Sequence, residues 1–260
     1  MISRPFRMSH TMTDEPKPAR IWPMSLAVLI ALSILISLGT WQLKRLSWKE
    51  NLIATVTERL AMKPENAPGP KEWSNVDRES HLYRPVQLSG QYDHEREVHV
   101  WFALNDPKGG PLYGPGYLIL TRFTTSEGWD VIVNRGFVPE GMKDPASRPT
   151  TLEQGEQIIT GLVRFDEPKS WLSPPADKDK NVWIVRQVEE MAQFLKLDPE
   201  RTAPYWIDLT KGQGEAGLPQ GGETVVSFTN NHLQYLLTWY GLAGVLIGVY
   251  LVWLVKRRRS

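Results

Sequence analysis

Two stretches without a charged side chain, residues 21–43 and 233–255, stand near the ends of this 260-residue chain and enclose a polar middle. Each is 23 residues long. At about 1.5 Å rise per residue that reaches ~34 Å, enough for a hydrocarbon core of ~30 Å. Two spans put both termini on one side and everything between them on the other. Such a chain works at a membrane face, held there from both ends.

Charge sets the orientation. The tail after the second stretch reads Lys256-Arg257-Arg258-Arg259, and the leader carries Arg4, Arg7, Lys17 and Arg20 against Asp14 and Glu15. Positive flanks favour the cytoplasmic side. Both termini are therefore expected on the cytoplasmic side, with the central domain periplasmic or intermembrane; the localisation expected is the bacterial inner membrane, with the domain in the periplasm. Lys44, Arg45 and Lys49 argue the other way, because they follow the first span directly. The tail, with four cations and no acid, is the cleaner signal. A cleaved signal peptide fits less well than an anchor, since the apolar run is longer than the ~7–15 residues of such a signal. Residues 1–20 are polar, contain three prolines, and read as a disordered leader.

The chain has no cysteine. That excludes a disulfide-built fold, thioredoxin-type chemistry and thiolate metal binding. The middle must fold by core packing alone, and at about 190 residues it can bury a substantial core. A net charge of +1 gives no basic surplus for nucleic acid.

Apolar residues Leu43, Leu46, Ile53, Val56 and Leu60 continue past the first span at helical spacings. They predict an amphipathic extension over 44–62, ended by Pro64, Pro68 and Pro70. Beyond it the period falls to two. Strands are expected at 83–88, 98–104, 116–124, 129–138, 157–165, 204–209 and 223–228, with one short helix at 187–197. The fold class that follows is an α+β membrane protein. Two transmembrane helices, 21–43 and 233–255, flank a mainly antiparallel, barrel-like extracytoplasmic domain over 44–232, and a basic tail closes the chain at 256–260.

No phosphate loop, Gly-x-Ser-x-Gly or His-Glu-x-x-His occurs, and no nucleophile–base pair can be named, so an enzyme is not expected. Asp93-His94-Glu95 and His99 suggest a metal site at first sight. On a regular strand residues 94 and 99 face opposite sides, which favours loop or surface polarity. His232 opens the second span within Asn230-Asn231-His232-Leu233-Gln234-Tyr235. A neutral imidazole there has two readings, an axial ligand for haem iron or an interfacial helix-capping residue. Trp239 and Tyr240 form an aromatic rim nearby, with Trp41 on the first span. Arg135, in Asn134-Arg135-Gly136, has two readings as well: a fork for a haem propionate or partner carboxylate, or an internal salt bridge. Gly136 suits a bulge or a close backbone approach.

Three segments carry a resemblance. Residues 38–53 (LGTWQLKRLSWKENLI), Gly116-Tyr117 with residues 131–139 (VIVNRGFVP), and residues 231–235 (NHLQY) with Thr238-Trp239-Tyr240 are similar to the motifs of the Surfeit locus protein family. These are assembly factors of haem-copper cytochrome c oxidase. Phe137 stands where members often have Trp, and Leu236 where Ala is usual. The resemblance implies a non-enzymatic role in building the oxidase's catalytic subunit at the haem a insertion step. It further implies His232 as the ligand of haem a iron. With that ligand, the expected mechanism is transient haem a binding in which Trp239, Tyr240 and Trp41 shield the porphyrin and Arg135 pairs with a propionate or with the partner subunit. The implied partners are the catalytic subunit, the haem a synthase and membrane lipid. The alternative is a scaffold that binds no haem and steadies an assembly intermediate of the subunit.

Overall fold

The computed structural model describes residues 21–149, 152–212, 218–223 and 231–259. The leader, the Asn230 cap and most of the strand expected at 223–228 lie outside these residues. The chain divides into two compact units, one made of residues 1–51 with 229–260, the other of residues 52–228.

The first unit contains two long helices, of which the first runs on past residue 51 into the second unit. Helix α1, Ile21–Leu60, includes the first apolar stretch and its extension in one uninterrupted run, and α4, His232–Arg259, includes the second. Both are long and apolar enough to cross a membrane by length and composition. Hydroxyls inside the apolar run of α1 are satisfied locally. Ser25, Ser33 and Thr40 each donate to the carbonyl four residues back, at 2.8–3.0 Å, which satisfies these three hydroxyls within the helix. Their large side chains lie outward: Leu29, Ile34, Leu237 and Val249 are all exposed.

The second unit is a sheet domain. Its strands are β1 (Glu65–Asn66), β2 (Pro85–Leu104), β3 (Gly114–Thr125), β4 (Asp130–Pro139), β5 (Gln157–Arg164) and β6 (Thr202–Leu209), with short helices α2 (Arg78–His81) and α3 (Val188–Phe194). The order is β1-β2-β3-β4-β6-β5, and β2 also pairs with β5. Pairings β2–β3, β2–β5, β3–β4 and β5–β6 are antiparallel, whereas β1–β2 and β4–β6 are parallel. The sheet is therefore mixed, and not the clear barrel that the period-two runs suggested. The parallel β4–β6 pair arises because the chain leaves β4, forms β5 elsewhere in the sheet and returns beside β4 as β6.

The strands expected separately at 83–88 and 98–104 are the two ends of the single strand β2. Its first part pairs with β5 and the rest with β3. Strands β4 and β6 are buried on both faces, and alternation sends their side chains to two cores. Ile132, Phe137 and Trp206 join Val98, Val100, Leu118 and Leu120, which α3 covers with Val188, Met191 and Ala192. Val131, Val133, Tyr205 and Ile207 join Phe123 and Ile159 in the other.

Candidate functional site

His232 begins α4, and its Nδ1 lies 2.8 Å from Gln42 Oε1 on α1. An amide oxygen only accepts, so Nδ1 is the donor, and in the neutral ring the lone pair is then on Nε2. Gln42 is 8 % exposed, the one buried polar residue of α1, and its burial fixes the imidazole's tautomer and direction. The same device orients histidines that ligate metals, whose second ring nitrogen is held by an acceptor. No hydrogen bond to His232 Nε2 occurs among the described residues.

Below this pair the helices meet through one glycine. The Tyr240 ring comes within 2.9 Å of where a Cβ on Gly39 would stand, and its hydroxyl is 3.2 Å from Thr40 Oγ1. Further along, Ser25 Oγ and Tyr250 Oη are 2.5 Å apart. A missing side chain on one helix thus admits a large aromatic from the other, the packing by which apolar helices associate. His232, Leu236, Trp239 and Ala243 recur at four, three and four residues and are less exposed than their neighbours. Trp239 therefore shares the histidine's face, with Tyr240 beside it. Trp41 is 57 % exposed and sits on another face of α1 from Gln42.

The other predicted residue, Arg135, lies inside the sheet domain. Ile119 pairs with Gly136 and Leu120 with Asn134, so Arg135 is the extra residue of a β-bulge. Asn134 builds the bulge: its Oδ1 accepts from Gly136 N at 3.1 Å and its Nδ2 donates to Asp208 at 2.8 Å. Gly136 has φ +130°, and a Cβ there would stand 2.2 Å from Gln220 O. Both uses expected of Gly136 occur together. The bulge sends the Arg135 guanidinium into a buried site, where it pairs with Glu153, donates to His94 Nδ1 at 3.3 Å and stacks 5.0 Å above Tyr92. At 2 % exposure Arg135 makes the internal ion pair of its two readings. Burial presses its pKa down, and Glu153 opposes that.

A second buried group adjoins it. Glu97 bonds Arg148 and accepts from His99 Nε2 at 2.8 Å. His99 is 4 % exposed, which corrects its reading as surface polarity. The parity argument assumed a regular strand, and β2 bulges between Asp93 and Glu97, which breaks the alternation. No group of three or more His, Cys, Asp or Glu able to hold a metal ion occurs among the described residues.

The proline- and glycine-rich loop at 106–116 is pinned rather than loose. Glu223 accepts from Lys108 N and Gly109 N, and the Gln220 amide bridges Leu112 N and O. Gln220 also exchanges two backbone bonds with Phe137, at 2.9 and 2.8 Å. Sequence reasoning missed Gln42, Glu153, Gln220 and Glu223. Only Gln42 had a signal, as an amide within an otherwise apolar stretch.

Gly39, Gln42, His232 and Tyr240 of the helix pair and the bulge all fall within residues 29–244, which match the SURF1 family model. The chain belongs to the SURF1 family. It is 36% identical over 217 residues to Surfeit locus protein 1 of Xenopus tropicalis, covering 79% of this chain and 67% of that protein. The human Surfeit locus protein 1 is 35% identical over 217 residues, covering 79% and 69%. The SURF1-like protein of Drosophila melanogaster is 31% identical over 250 residues, covering 92% and 80%. The SURF1 match thus takes in Gly39, Gln42, Asn134, Arg135, Gly136, His232 and Tyr240.

Proposed function

We propose that this SURF1-family chain is a membrane-anchored, non-enzymatic assembly factor for haem-copper cytochrome c oxidase, and that it takes haem a as transient cargo at His232. The observation that supports the reading is the Nδ1 contact to Gln42, which leaves Nε2 as an aimed donor of the kind haem iron takes. Trp239 and Tyr240 supply apolar surface for a porphyrin. A single histidine gives a modest hold, which suits a carrier that must release its cargo to the oxidase's catalytic subunit. Arg135, already paired with Glu153, stiffens the bulge in this reading rather than gripping a propionate. The helices cross a bacterial inner membrane with both termini cytoplasmic and the sheet domain periplasmic.

The deciding experiment is the visible spectrum of the full chain purified from cells that make haem a, beside His232→Ala. A haem a band present in the first and lost in the second, at equal yield, supports the carrier. No band in either sample sinks it. A reporter fused after the C-terminus tests the topology separately: activity only of a periplasmic reporter there would reverse the orientation.

One observation favours a second reading, a scaffold that holds an oxidase intermediate without haem. Trp171 is 91 % and Leu172 is 71 % exposed on one loop of the sheet domain, an apolar tip suited to a protein partner. Capture of the catalytic subunit by a haem-free His232→Ala variant would support it.

A further inference from the structure

The proposed function leaves Lys44, Arg45 and Lys49 without a role, although they lie on the side of the span where cations are disfavoured. Trp41, Arg45 and Trp48 are spaced by four and three residues and so form one stripe of α1. The Arg45 guanidinium lies 4.1 Å from the centroid of the Trp48 ring, which holds it along the helix. Trp41 and Trp48 are 57 % and 50 % exposed, whereas Gln42, on the side that meets α4, is 8 % exposed. Lys44 and Lys49 flank the stripe. No carboxylate pairs with Lys44 or Arg45 among the described residues. Neither apolar stretch holds an acid, and the first on α1 is Glu50.

The charge has one sign, Lys44 and Arg45 are exposed together with the two indoles that settle at a lipid interface, and Lys49 stands at the edge of the cluster, half-buried and seven residues from Gln42. We propose that Trp41, Lys44, Arg45, Trp48 and Lys49 form a docking site for an anionic phospholipid. Arg45 and Lys44 hold the headgroup phosphate, and the two indoles lie against the glycerol and upper acyl region. The inference rests on the reading that the helices cross a membrane. It accounts for the basic cluster as a lipid contact rather than a topology signal.

The test uses the full chain in vesicles of equal phosphatidylglycerol and phosphatidylcholine, gently extracted, with retained lipid counted by native mass spectrometry. The wild type should retain phosphatidylglycerol in excess. The triple variant Lys44→Gln, Arg45→Gln, Lys49→Gln should lose that excess by about tenfold or more, since each cation near an anionic surface contributes roughly fivefold. Trp48→Leu, with every charge kept, should lose it severalfold, an effect that charge alone would not give. Equal retention by the triple variant overturns the proposal. So does displacement of the lipid by millimolar inorganic phosphate, which would make the free anion the occupant. Failure of the wild type to float with the vesicles overturns the membrane reading first, before any lipid is counted.

Discussion

The imidazole of His232 and the amide of Gln42 stand 2.8 Å apart, the one buried amide of α1 holding the one histidine of α4. In the carrier reading this contact sets which nitrogen faces the iron. Gln42→Leu should weaken haem a retention by about 10–100-fold, the usual cost of removing such an orienting acceptor. Gln42→Glu, still an acceptor, should hold haem at least as well. The readout is the haem-to-protein ratio with the visible spectrum. Wild-type retention in Gln42→Leu would leave the contact a helix-packing detail.

Gly39 and Tyr240 make a packing prediction that is independent of haem. A side chain on Gly39 must displace the Tyr240 ring, which stands 2.9 Å from the Cβ position. Gly39→Leu should therefore push the helices apart, at a cost of about 1–3 kcal/mol. The absence of cysteine makes this simple to read. Ser25→Cys with Tyr250→Cys should crosslink readily in the parent and slowly once Gly39→Leu is added. Equal crosslinking would mean that the pair does not depend on Gly39.

Much of the architecture could be read from periodicity, because burial on one side leaves a repeat in the sequence. The two apolar stretches, the extension of α1 and the strands at 116–124, 129–138, 157–165 and 204–209 all left such repeats. Sheet order did not. Neighbours such as β4 and β6 are chosen by long-range packing, and nothing local in 130–139 names its partner. The bulges hid the buried charges as well. His94 and His99 looked incompatible under strict alternation, and only the irregularity between Asp93 and Glu97 puts Glu97 beside Arg148. For the site, His232 and Tyr240 could be picked from residue type and place. Gln42 and Gly39 acquired meaning only when the opposite helix supplied their contacts.

Gly136 carries a strained backbone and a close approach at once. With φ +130° and Gln220 O at 2.2 Å from the Cβ position, Gly136→Ala must break the paired backbone bonds between Phe137 and Gln220. The loss should exceed about 2 kcal/mol. Arg135→Met should also destabilise, because it leaves Glu153 buried without its cation. Denaturant melts of the full chain in detergent, followed by tryptophan fluorescence, check both. A Gly136→Ala midpoint within error of the parent would contradict the bulge geometry.

Acid should weaken the sheet domain in two stages. Burial lowers the His94 pKa below its usual value, against the bond to the Glu153 carbonyl, and Arg135 lowers it further. The unfolded chain therefore takes up that proton first, and His94 costs stability as pH falls below about 6.5. Glu97 behaves differently. Burial resists its ionisation, but the His99 hydrogen bond and Arg148 outweigh it and hold the carboxyl below the usual carboxylate range. Glu167 is held down likewise, burial being outweighed by Arg186. Both depressed carboxyls stabilise the fold above about pH 4.3, and that contribution is lost as pH falls through their folded values. Melting temperature should thus slope gently down from pH 7.5 to 5.5 and steeply below about 4.5. His94→Gln should flatten the first slope and leave the second. A melting temperature unchanged between pH 7.5 and 5.5 would mean that His94 titrates alike in the folded and unfolded chains, which its burial against Arg135 argues against.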